Sequence, residues 1–146
     1  MNQVNEENTL YDKTRLYETL KSGDVIRIGG NNYTLEVADT FFTRFLGLMG
    51  RKAFPSNKAL LITPCNSIHT CFMRFNMTAI FISSDMHVSK IVSNIAPWRM
   101  VFAGNTNPKT VCVLELAENE ALEIKKGDCI TKIKSVNNEN AIKTVT

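Results

Sequence analysis

Thr110-Val-Cys-Val-Leu-Glu-Leu116 is an apolar run interrupted by one carboxylate. It is too short for a typical helix and rich in β-branched residues, so it reads as a strand. Side chains alternate along a strand. Val111 and Val113 then share one face, and Cys112, Leu114 and Leu116 the other. Glu115 stands among apolar neighbours on both sides, and a carboxylate there needs a partner if it is buried. The candidates are Arg44, Arg51 and Arg74, and we expect an Arg–Glu pair.

Working outward, similar short runs recur. Val25–Ile28 and Tyr33–Val37 read as strands joined by Gly29-Gly30-Asn31-Asn32, a hairpin signal. Ala59–Ile62 is a short apolar run stopped by Pro64. Ala79–Ile82 and His87–Val92 flank the turn Ser83-Ser84-Asp85, and Asp128–Ile133 follows the turn Lys125–Asp128. One helix is expected, capped by Asp39 or Thr40 and ended by Gly50, with Phe41, Phe45 and Leu48 or Met49 at helical spacing. Ala117–Ile124 reads as a second, shorter helix. The expected fold is mainly β, a compact barrel or sandwich of short strands with one or two short helices.

A chain of 146 residues fits one domain. Residues 22–136 form the expected globular unit. Residues 1–21 read as a disordered or weakly helical extension, and 137–146 as a disordered tail. Charged residues are 21% of the chain and the net charge is only +3, with basic residues scattered, which argues against a nucleic-acid binder. No apolar run approaches the roughly 20 residues needed to span a bilayer. The polar start, Met1–Asn8, does not read as a secretory signal, so the expected location is the cytoplasm. There Cys65, Cys71, Cys112 and Cys129 should stay reduced.

Cys65-Asn-Ser-Ile-His-Thr-Cys-Phe-Met-Arg-Phe75 gathers the most reactive side chains. Taken as one extended strand, it puts Cys65, Ser67, His69, Cys71, Met73 and Phe75 on a single, inward face. On such a strand Cys65 and His69 lie about 13 Å apart, too far to share an ion. The spacing matches no standard zinc pattern, and neither a metal nor a cofactor is expected. His69 with Cys65 or Cys71 supplies two members of a thiol-enzyme site. Reduced core cysteines are the alternative.

Arg44 and Arg51, seven residues apart, should project from one side of the helix, with Gly47 allowing close approach between them. Two guanidiniums together suit a carboxylate or phosphate. Trp98, in Pro97-Trp98-Arg99, suits either the core or a pocket wall. The polar loop Ala103–Lys109 is a candidate flap.

In order, the motifs Arg44-Phe-Leu-Gly-Leu-Met49 with Arg51, Ala59–Thr70 with Met73-Arg-Phe75, Phe81, Pro97-Trp98, Leu114-Glu-Leu116 and Gly127-Asp128 resemble the "domain of unknown function 192" family. The resemblance covers about residues 32–134. It implies a compact, mainly β domain and no established activity, cofactor or catalytic residue. One departure stands out. Where the family usually reads Pro-Ile-Asp after Phe75, this chain has Asn76-Met77-Thr78. The missing acid weakens any expectation of carboxylate-dependent chemistry there.

The expected function is binding of a small ligand, an anion among the candidates, or of a peptide or protein segment. The pocket would draw on Arg44, Arg51, His69, Met73, Arg74, Trp98 and Glu115. The competing expectation is a hydrolytic or thiol-dependent enzyme using His69 with Cys65 or Cys71. Neither nucleic acid nor membrane is an expected partner.

Overall fold

The computed structural model describes residues 16–105, 108–118 and 123–135. Thr110–Ala117 (β8) lies near the middle of a seven-stranded sheet, paired with Lys58–Ile62 (β3) on one side and Met77–Ser83 (β5) on the other. Beyond β5 lies Val88–Ile95 (β6). Beyond β3 lie Asn31–Ala38 (β2), Val25–Ile28 (β1) and Thr131–Lys134 (β9). All pairings are antiparallel except β2 with β3. The apolar neighbours read around Glu115 follow from this central place, since a strand covered on both faces needs apolar residues on both.

One face of the sheet carries Ile26, Leu35, Leu61, Ile80, Leu114 and Leu116 in a continuous core. The two edge strands approach each other at one end. His87 bridges Cys129, and the Val88 and Ile130 amides bond to the Asp128 and Met86 carbonyls. The barrel stays unclosed, because among the described residues no strand pair joins β6 to β9. The other face carries Leu60, Ile62, Met77, Ala79, Phe81 and Val113. A thin second layer covers it, making the fold sandwich-like. That layer contains the helix Phe41–Leu46 and a two-stranded ribbon of Ser67–His69 (β4) and Met100–Phe102 (β7). Leu48, Phe54, Ile68, Met73, Ile95 and Ala103 anchor it.

Several elements differ from the sequence reading. A four-residue helix, Leu16–Thr19 (α1), precedes Leu20, which is buried in the first core. The helix Phe41–Leu46 (α2) is capped by Thr40, whose hydroxyl accepts from the Thr43 amide. It ends four residues before Gly50, because Gly47 takes φ 47° and ψ −128°. Its aromatic stripe faces outward: Phe41 is 82% exposed and Phe45 57%. The segment 65–75 is extended only over β4, where Ile68 is the buried member and Ser67 and His69 lie on the opposite face. Past His69 the chain turns, with Phe72 at φ 61°. Of Asp128–Ile133 only the last three residues are in β9. Ala117 belongs to β8, and residues 119–122, the middle of the second helix expected over 117–124, lie outside the described residues, as do residues 1–15, 106–107 and 136–146.

Candidate functional site

Glu115 pairs across the sheet with Leu60 and Ala79. Its side chain therefore projects from the face covered by the thin layer. That layer leaves a gap, a cavity of about 380 Å³ between α2 and the β4–β7 ribbon. Arg44, Cys65, Ser67, His69 and Glu115 supply its polar wall, and Phe41, Phe45, Ile62 and Met100 its apolar wall.

Glu115 is 2% exposed. Burial raises its carboxyl to about 8, against the opposing field of Arg51. The expected Arg–Glu pair is absent: among the described residues the ion pairs join Arg51 and Lys58 to Glu36, His87 to Asp85, and Lys132 to Asp24. Gly47 lies over the carboxyl so closely that a Cβ there would sit 3.0 Å from Oε1. The close approach expected at this glycine is made by the chain's own acid.

Arg44 lies along the wall. Its Nη1 donates to the Pro64 carbonyl (2.9 Å) and its Nε to the Thr40 carbonyl (3.3 Å). A guanidinium has five N–H donors, so donors remain for a guest. His69 is fully engaged. Its Nδ1 accepts from the Cys71 amide (3.2 Å), which puts the ring proton on Nε2, and Nε2 donates to the Phe45 carbonyl (2.9 Å). The imidazole thus ties the ribbon to α2, with its ring 5.0 Å from that of Phe45.

The remaining expected site residues are dispersed. Arg51 lies beyond the end of α2, so it does not share a helix face with Arg44. It pairs with Glu36 at 2.8 Å and stacks over Phe54. Met73 is buried in the second core, and Arg74 is exposed. Trp98 does not line the cavity. It stacks on Phe72 with ring centroids 4.6 Å apart, and both residues take positive φ. The hydrogen bonds of His69 go to backbone groups rather than to a thiol. Cys65 Sγ donates to the Ser67 carbonyl, and burial is the main cause raising its thiol above its ordinary value. Burial pushes Cys112 up to about 12. Among the described residues no three His, Cys, Asp or Glu side chains are grouped to hold a metal ion. The Ser83, Asp85 and His87 cluster is a turn: the serine hydroxyl meets the Asp85 carboxylate and the His87 carbonyl, not the imidazole. Thr78 pairs with Leu116 and therefore projects to the face opposite the cavity. The residue replacing the family's acid has no access to Glu115.

A collar of exposed apolar side chains, of which Phe41, Phe45 and Met100 line the cavity, has no counterpart in the sequence reading. Eight of the nine large apolar side chains exposed among the described residues belong to α2, β7 or the Phe72 and Trp98 loops.

No helix of the described residues is long and apolar enough to cross a membrane. No curated protein matches the chain. Two crystal structures share the fold. One is a protein of unknown function from Novosphingobium aromaticivorans DSM 12444, 23% identical, with TM-score 0.66 over 73% of this chain and 83% of that one. The other, from Sinorhizobium meliloti 1021, carries a proposed transcription-regulator description and is 20% identical, with TM-score 0.68 over 77% of this chain and 96% of that one. At these identities the likeness concerns the fold alone. A family model matches residues 24–132, most of the chain and both walls of the cavity, and the protein therefore belongs to the family of uncharacterised proteins called domain of unknown function 192.

Proposed function

We propose that the domain is a binding module whose cavity beneath α2 receives the end of a small ligand or an extended peptide segment, with the exposed collar covering the rest. The observation that carries this reading is the buried carboxyl of Glu115, open to a cavity and held by no residue of its own chain among those described. Such a group left unpaired costs about 1–3 kcal/mol, which a guest with a matching polar end recovers. The strained pair Phe72 and Trp98 supports the same reading. Two bulky residues at φ 61° and 65° each cost about 1–3 kcal/mol, and such strain collects at ligand-contacting segments.

Ligand-observed and amide NMR with a panel of short carboxylates, amines and capped apolar dipeptides tests the reading. Members that bind should shift the amides of Gly47, His69 and Glu115, and Arg44→Gln should remove those shifts. If no compound moves these resonances, or if the shifts survive Arg44→Gln unchanged, the cavity is not the binding site.

A further inference from the structure

The charges around the cavity narrow the guest. Facing Glu115 are Arg44 from α2, Arg51 from the segment after it, Cys65 from the loop after β3, and His69 from β4. Its cross-strand partners, Leu60 and Ala79, carry no charge. Arg51 is paired with Glu36 at 2.8 Å and does not line the cavity. Both ring nitrogens of His69 are taken by backbone groups, the Cys71 amide and the Phe45 carbonyl, so neither is offered to a guest. Burial keeps a proton on Cys65. Among the described residues Arg44 is then the one uncompensated fixed charge on this wall, and its partners here are backbone carbonyls, which are acceptors without formal charge.

A guest must leave this wall near neutrality, because uncompensated charge in a largely apolar cavity is costly. An ammonium would require Glu115 ionised and would still leave one positive charge beside Arg44. A phosphate dianion would leave one negative charge. A monoanion balances Arg44, provided Glu115 keeps its proton. The acid O–H is then a second donor to the anion, since a protonated carboxyl donates where a carboxylate only accepts. Phe41, Phe45, Ile62 and Met100 are suited to an apolar body beyond the anionic end.

We propose that the cavity takes a monocarboxylate with an apolar body, held between the Arg44 guanidinium and the protonated carboxyl of Glu115, so that the guest and the Glu115 proton are bound together. The proposal rests on the reading of the cavity as a binding site and adds the class of guest and its linkage to pH. Glu115 holds its proton to about pH 8. Affinity should therefore be level on the acid side and fall as pH rises through that value.

The test is calorimetric titration of the full chain with hexanoate, with hexylamine as the counter-probe. Both probes keep their charge between pH 6 and pH 9. The hexanoate affinity should be about 10-fold weaker at pH 9 than at pH 7, the change in the protonated fraction expected for one linked group titrating near 8. Glu115→Gln, which cannot ionise, should bring that ratio near 1. A level profile in the natural protein, or the same fall in the Gln variant, overturns the proposal. Tighter binding of hexylamine than of hexanoate, or occupation of the cavity only by neutral dipeptides, overturns it while leaving the binding reading intact. If no probe of any class binds, both readings fall.

Discussion

Replacing Glu115 by Gln should stabilise the protein, and increasingly so as pH rises. In the unfolded chain this carboxyl titrates near its ordinary 4.5, and in the folded protein near 8. Between those values the folded state holds a proton that the unfolded state has released. The contribution is therefore fully present below about pH 4.5 and is lost as pH rises through about 8. From 4.5 to about 8 is 3.5 pH units, and at about 1.36 kcal/mol per unit the loss integrates to about 5 kcal/mol. That is a large part of the roughly 5–15 kcal/mol by which domains are stable. Gln keeps the shape and has no proton to lose. Other titrating groups are common to both proteins, so the difference between them isolates this one. Urea unfolding followed by circular dichroism at pH 5, 7 and 9 gives the comparison. The free-energy difference, variant minus natural protein, should grow by about 4 kcal/mol from pH 5 to pH 9, mostly below pH 8. A difference that stays constant over this range would mean that the carboxyl is ionised in the folded state, and would refute the reasoning from burial.

Two further substitutions test the packing, one on each face of the sheet. Thr78→Val exchanges a buried hydroxyl that has no hydrogen-bond partner for a methyl group of similar size, and should stabilise by about 1 kcal/mol. Calorimetry would register this as a higher Tm, and a lower Tm would show that the hydroxyl is satisfied. Gly47→Ala forces a Cβ to within 3.0 Å of Glu115 Oε1 at a backbone conformation suited to glycine, and should cost about 1–3 kcal/mol. An unchanged Tm would contradict the tight cover over the acid.

The fold is legible in the sequence where one local signal decides it. The run 110–116 carries its own strand pattern, and the lone carboxylate within it is enough to single out Glu115. Arg44 and His69, singled out by residue type, lie on the cavity wall. The misreadings share a physical cause, in that the same periodicity serves two environments. Phe41 and Phe45 at helical spacing look alike whether they face a core or a cavity mouth. Grouping Arg51 with Arg44 counts helical turns through Gly47, where the helix has already ended. Placing 65–75 on one face assumes that extended geometry continues, but the chain turns after His69 and carries Cys71, Met73 and Arg74 into separate surroundings. His69 stands out as the unusual polar member, while its partners, the Phe45 carbonyl and the Cys71 amide, are backbone groups that residue identities do not reveal.

The cavity is built from two materials of unequal firmness. Its floor is a residue on β8, hydrogen-bonded on both sides within the sheet. Its walls are a six-residue helix and a ribbon of three-residue strands, tied to each other through one imidazole. Segments with few buried contacts open far more readily than central strands. Hydrogen exchange at Glu115 should therefore report global unfolding, and exchange along α2 and the ribbon much smaller excursions. On the proposed binding reading, a guest would enter by displacing the walls while the acid stays in place. Changes at Phe41, Phe45 or Met100 would then alter which apolar bodies are admitted while leaving Arg44 and Glu115, the groups proposed to meet the polar end, in place.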